Sequence, residues 1–150
     1  AKTPKETKWG FLVKMIIDAT DLIAGRLASS VAKKALLGET INIINCENLI
    51  LTGNKKNILA KYKQRVDRGR PRKGPFIQRT SDKLFRRMIR GMLPYKQAKG
   101  IGAYKRIMCY VGKPEKFKDQ KIENLNDIHV SKINSLKFIY LKDIIKFLKQ

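Results

Sequence analysis

A chain of 150 residues with 43% apolar side chains is long enough for one domain with its own core and too apolar for a disordered polymer. Its 34 Lys and Arg against 12 Asp and Glu give a formal net charge of +22; self-repulsion on that scale opposes compaction unless a polyanion neutralises it, so nucleic acid is the expected partner. Cys46 and Cys109 have no CxxC spacing or His neighbour, which argues against a zinc site or a disulfide framework, and no apolar run reaches the roughly 18 residues of a membrane span.

Residues 1–14, "AKTPKETKWGFLVK", read as an N-terminal basic tail. They have neither the apolar centre of a signal peptide nor the Arg-rich character of a transit peptide, so a cytoplasmic location with reduced thiols is expected. "MIIDA" (15–19) reads as a buried strand. Thr20 or Asp21 is placed to cap a helix over "DLIAGRLASSVAKKALL", in which Ile23, Leu27 and Val31 recur beside Ala28 and Ala32, and Gly38 is placed to stop it. "TINIINC" (40–46) and "NLILTG" (48–53) are two more strands, and "NKKNILAKYKQRV" (54–66) predicts a helix with Ile58, Leu59, Tyr62 and Val66 on one side.

Strand, helix, strand, strand, helix is an α/β pattern with a partly parallel sheet covered on both faces. The loop "DRGRPRKGPFIQRT" (67–80) follows; its glycines and prolines predict an extended course with cations pointing outward. In "SDKLFRRMIRGML", Ser81 or Asp82 is placed to cap a helix, and a turn of about 100° per residue sets Leu84, Phe85, Met88, Ile89 and Met92 opposite Lys83, Arg86, Arg87 and Arg90. Pro94 ends that helix. A Gly-rich basic bend, a strand at 107–111 and an irregular stretch at 113–135 follow, and "LKFIYLKDIIKFLKQ" completes residues 15–150 as one domain, either as one amphipathic helix or, as the consecutive Phe138, Ile139 and Tyr140 favour, as a strand at 137–141 and a helix at 142–149.

Charge is concentrated along this order. Residues 54–118 hold 21 basic and 3 acidic side chains, and 9 of those 21 are Arg, against one Arg among the 13 cations elsewhere. Guanidinium groups bond phosphate in pairs and stack on bases, so this bias points to RNA or DNA. Without a zinc-finger, basic-zipper or RRM signature, shape-fitting to folded RNA is favoured over sequence readout of a duplex. The residues expected to face RNA are Lys55, Lys56, Arg68, Arg70, Arg72, Lys73, Arg79, Arg86, Arg87, Arg90, Lys96, Lys99, Lys105 and Arg106. Replacing Arg86, Arg87 and Arg90 together is expected to weaken binding with little loss of stability.

Other chemistry is sparse. "DATDLIAG" and "KGIGAYK" lack the glycine spacing of phosphate-binding loops, so no nucleotide cofactor and no small-molecule substrate is expected. His129 reads as a solvated surface histidine. Asp18, Asp21 and Glu47 are the alternative, a metal site of an RNA-processing enzyme, although Asp21 also reads as a helix cap and Glu47 as a turn residue.

"IIDATDLIAGRLAS" (16–29), "LTGNKKN" (51–57), "RGRPRKGP" (68–75), "LFRRMIRGMLPYK" (84–96) and "YVGKPEKF" (110–117) resemble, in this order, the universal ribosomal protein L-thirteen family of the large subunit, in its archaeal and eukaryotic branch. The resemblance implies a three-layer α/β domain with a central sheet flanked by helices and with basic RNA-binding extensions. It also implies no catalytic activity. Large-subunit rRNA and neighbouring large-subunit proteins would be its partners, with Arg68, Arg70, Arg72, Lys73, Arg86, Arg87, Arg90 and Lys96 against the rRNA.

Overall fold

The computed structural model describes residues 14–118 and 120–149; the tail assigned to residues 1–14 lies, up to residue 13, outside the described residues. Strand β1 (Lys14–Asp18) leads into helix α1 (Ala24–Leu36), then strand β2 (Thr40–Ile44) and strand β3 (Ile50–Thr52). Helices α2 (Lys55–Asp67), α3 (Ser81–Gly91) and α4 (Ala98–Lys105) follow, then strands β4 (Ile107–Cys109) and β5 (Phe138–Tyr140) and helix α5 (Leu141–Leu148). This is the expected α/β class. β2 lies between β1 and β4, all three parallel, with Ile17 opposite Ile43 and Ile43 opposite Cys109; β3 and β5 form a separate antiparallel pair.

Strand alternation sorts the core. Met15, Ile17, Ile41 and Ile43 face the helices, where they meet Leu27, Val31, Leu84, Phe85 and Ile89, while Ile16 and Ile44 point to the other side and meet Phe117. That second face is closed by an irregular segment with one short helical turn, Glu115–Phe117: Tyr110 packs edge-on against Phe117 at 5.3 Å between ring centres, and the Glu123 amide donates to the Ile16 carbonyl at 2.8 Å.

Helix ends show where tertiary contacts override local signals. Neither Thr20 nor Asp21 caps α1; the helix starts after Ile23, without a side-chain cap. The Ile23 amide donates to Ile128 at 3.1 Å and the Leu22 carbonyl accepts from Ile50 at 2.9 Å, so both residues are held extended and cannot begin a turn of helix. At the other end Gly38 does stop α1. Its φ of 108° lets its own amide reach Ala35 and the Glu39 amide reach Lys34, the paired bonds of a Schellman close.

α3 starts after Thr80, so neither Ser81 nor Asp82 is its cap, although Asp82 sits in the first turn where an acid suits the dipole. Met92 falls beyond the last helical residue and is 46% exposed, off the apolar stripe to which helical phase assigned it. The expected Gly-rich bend is helix α4 instead. Gly100 is buried so close to the Pro94 carbonyl oxygen that a Cβ would run into it, and this packing outweighs the poor helix propensity of glycine. The expected break between the second and third strands is a short helical turn, Cys46–Asn48, entered through Asn45 at φ 56°.

Candidate nucleic-acid interface

α2 ends at Asp67, and the chain turns back within a few residues. Gly69 and Gly74 adopt φ of 97° and 81°; the Arg70 amide donates to the Gly74 carbonyl at 3.2 Å and the Gly74 amide returns to the Arg70 carbonyl at 2.9 Å. The predicted extended course is therefore replaced by a closed turn. Glycines at 69 and 74 supply left-handed backbone that other residues resist, and a Cβ on Gly69 would run into the Gly74 carbonyl oxygen. Arg68, Arg70, Arg72 and Lys73 are all exposed on this turn, and Arg79 is exposed further along the same loop. Arg68, Arg70 and Arg79 border one cleft of about 390 Å³, together with Phe76 and Ile77.

α3 does not divide cleanly into a packing and a binding face. Arg87 is exposed and donates to the Phe76 carbonyl at 3.3 Å, which ties the loop to the helix. Arg86, its neighbour, turns inward. Its Nε donates to the Ile107 carbonyl at 3.0 Å and its Nη2 to the Tyr104 carbonyl at 3.3 Å, with the guanidinium 4.3 Å from the centre of the Tyr104 ring. Arg90 lies 5.0 Å over Tyr95, and Arg106 donates to the Ala35 carbonyl at 3.2 Å, so it braces the end of α1. Part of the arginine enrichment thus serves the protein's own packing.

The remaining cations are exposed: Lys96 before α4, Lys99 in its first turn and Lys105 in its last. Lys55 and Lys56 stand at the opposite end of α2 from Arg68, about 20 Å away at 1.5 Å per residue. Lys61, Lys63 and Arg65 are also exposed on α2, cations outside the expected set, and the Arg65 guanidinium lies 5.4 Å from the centre of the Tyr62 ring. Phe76, exposed in the loop 67–80, is with Ile77 one of its two large apolar side chains.

The ion pairs found among the described residues are Lys34 with Glu123, Lys118 with Glu115 and Lys132 with Asp127. None involves a residue expected to face RNA. An unneutralised cluster of cations repels itself, so its energy falls when phosphates enter.

The acidic alternative does not assemble. The Glu47 carboxylate accepts from the Gly112 amide at 3.0 and 3.1 Å, Asp21 accepts from the Tyr140 hydroxyl at 3.0 Å, and Asp18 accepts from the Thr20 amide, the Thr20 hydroxyl and Asn45 Nδ2 at 3.0, 2.7 and 3.0 Å. Each carboxylate ties down a separate stretch of backbone or side chain, and among the described residues no group of three His, Cys, Asp or Glu is placed to hold a metal. His129 is half-buried rather than solvated, and its Nδ1 accepts from the Ser131 amide at 3.2 Å. Cys46 and Cys109 are free and buried; the neighbouring Cys109 thiol and burial push the Cys46 thiol up, so it stays protonated, and its Sγ donates to the Ile43 carbonyl at 3.6 Å.

At Asp18, burial raises the carboxyl pKa, but the bonds from Asn45 and Thr20 outweigh it and hold the group below its ordinary 3.8. The folded value is depressed, so the associated stability is complete above 3.8 and is lost as pH falls through the folded pKa. Urea denaturation between about pH 5 and pH 2 is expected to show this loss, Asp18→Asn to flatten it, and Asp18→Ala to cost about 1–3 kcal/mol at neutral pH. An unchanged pH profile in Asp18→Asn would remove the carboxylate from this account.

An α/β domain carrying a cationic loop of this kind has the build of a polyanion-binding protein. The family described as Ribosomal protein L13 matches residues 13–116. The large ribosomal subunit protein uL13 of Archaeoglobus fulgidus is 37% identical over 134 residues, which cover 89% of this chain and 86% of that protein. Its namesake in Methanopyrus kandleri is 41% identical over 131 residues, with 86% and 82% covered, and that of Methanosphaera stadtmanae 50% identical over 111 residues, with 71% and 78% covered. The chain belongs to the ribosomal protein L13 family.

Proposed function

We propose that this protein is a structural constituent of the large ribosomal subunit in the cytoplasm, not an enzyme, and that residues 15–150 act as one domain that binds large-subunit rRNA and supports subunit assembly. The observation that carries the rRNA reading is the set of loop cations without carboxylate partners among the described residues. Arg68, Arg70, Arg72, Lys73, Arg79 and Arg87 form the centre of the contact, with Lys96, Lys99 and Lys105 beside α4 and Lys55 and Lys56 at the far end of α2. Arg86 and Arg90 first hold α3 against its neighbours and Arg106 braces the end of α1, and guanidinium donors beyond these bonds would reach phosphate. Neighbouring large-subunit proteins would complete the surroundings.

The test is co-sedimentation. Added to large subunits depleted of their own copy, the protein is expected to pellet with them at one copy per particle in moderate salt. Failure to pellet, or binding far below one copy, overturns the ribosomal reading.

A further inference from the structure

Phe76 is 64% exposed in a loop where burying an aromatic ring would have been favourable. The ring is nevertheless held in place. It packs against Gly74, where a Cβ would come within 3.2 Å of ring atoms Cδ2 and Cε2, and the Phe76 carbonyl is anchored to α3 by Arg87. The ring also borders the cleft of about 390 Å³ whose lining includes Arg68, Arg70, Pro75, Ile77 and Arg79 and one carboxylate, Asp67. That volume lies toward the small end of the roughly 300–1,000 Å³ typical of small-molecule sites, so a planar base fits better than a folded segment of chain.

We propose that this cleft receives one unpaired nucleobase, stacked on Phe76, while Arg68, Arg70 and Arg79 hold the phosphates that flank it. The inference rests on the RNA-binding reading above and adds a subsite to it. A protein partner would need to bring an apolar group and several carboxylates to the same place; a nucleotide brings a π-face and negative charge in one unit. A base inside a regular duplex is stacked on its neighbours and out of reach, so the occupant is a nucleotide from a loop, bulge or flipped position.

Affinity is measured for deproteinised large-subunit rRNA and for a blunt RNA duplex, using the full chain with Phe76→Ala, Phe76→Leu and Phe76→Trp. The expected result for Phe76→Ala is a loss of about 5- to 150-fold on rRNA, with an unchanged salt slope and unchanged duplex affinity. Phe76→Trp is expected to bind as the parent does and Phe76→Leu to lose affinity as the alanine variant does. Unaltered rRNA binding by Phe76→Ala, alongside loss in a variant with Arg68, Arg70 and Arg72 changed to Ala, overturns stacking and leaves the RNA-binding reading standing. No change in either variant overturns both. Retention by Phe76→Leu, or equal loss on rRNA and duplex, also overturns stacking, since a plain apolar contact then suffices.

Discussion

Affinity for large-subunit rRNA is expected to fall by roughly three to five decades between 50 and 200 mM monovalent salt, with duplex DNA as the guide and about six to ten phosphates contacted. Release of condensed counterions drives this dependence, and each cation seated on a phosphate contributes about 0.7 to 0.9 to the slope of log affinity against log salt. Changing Arg68, Arg70 and Arg72 to Ala should make the slope shallower by about two to three on that basis. All three are exposed, so the variant should keep its fold. A flat salt response in the parent protein would show the cations to be merely solvated, and an unaltered slope in the triple variant would remove the loop from the contact.

Arg86 and Arg87 are expected to behave oppositely although they are adjacent. Arg86→Ala removes charge-assisted hydrogen bonds to the Ile107 and Tyr104 carbonyls and a ring contact. At about 1.5–3 kcal/mol for a hydrogen bond to a charged group, reduced by partial exposure, the expected loss of stability is about 2–4 kcal/mol. Arg86→Lys should not restore it, because an ammonium group cannot span two carbonyls while stacking on tyrosine. Arg87→Ala should stay within about 0.5 kcal/mol of the parent and instead weaken rRNA binding. Chemical denaturation of both variants decides this; equal stability would mean that the inward geometry of Arg86 contributes nothing. The triple replacement of Arg86, Arg87 and Arg90, expected from charge alone to spare the fold, is now expected to destabilise it through Arg86.

The misplaced features share one origin. Helical phase and charge describe a helix as a cylinder in water, and on that cylinder Arg86 belongs with Arg87. Whether a long side chain turns outward depends on what lies beside the helix, and here α4 and β4 offer two carbonyls within reach of the guanidinium. The same limit applies to Thr20 and Asp21, which are good caps in isolation but precede residues that are bonded into strand-like bridges from distant parts of the chain. Gly100 reads as a bend until its proximity to Pro94 is known.

The sequence by itself determined the α/β class, the stop of α1 at Gly38, the amphipathic form of α3 and the concentration of charge in residues 54–118, and it favoured a strand and a helix over one helix at the C-terminus. These follow from periodicity, glycine and composition, which act over a few residues. Only the tertiary structure decided that Asp18, Asp21 and Glu47 form no metal-holding group among the described residues, that Arg86 and Arg106 bond carbonyls of neighbouring elements, and that Phe76 stands at the edge of a cleft lined by arginines. Each of these depends on hydrogen bonds or contacts between residues that local propensity does not bring together, and such contacts exist only once the core has set the elements in place.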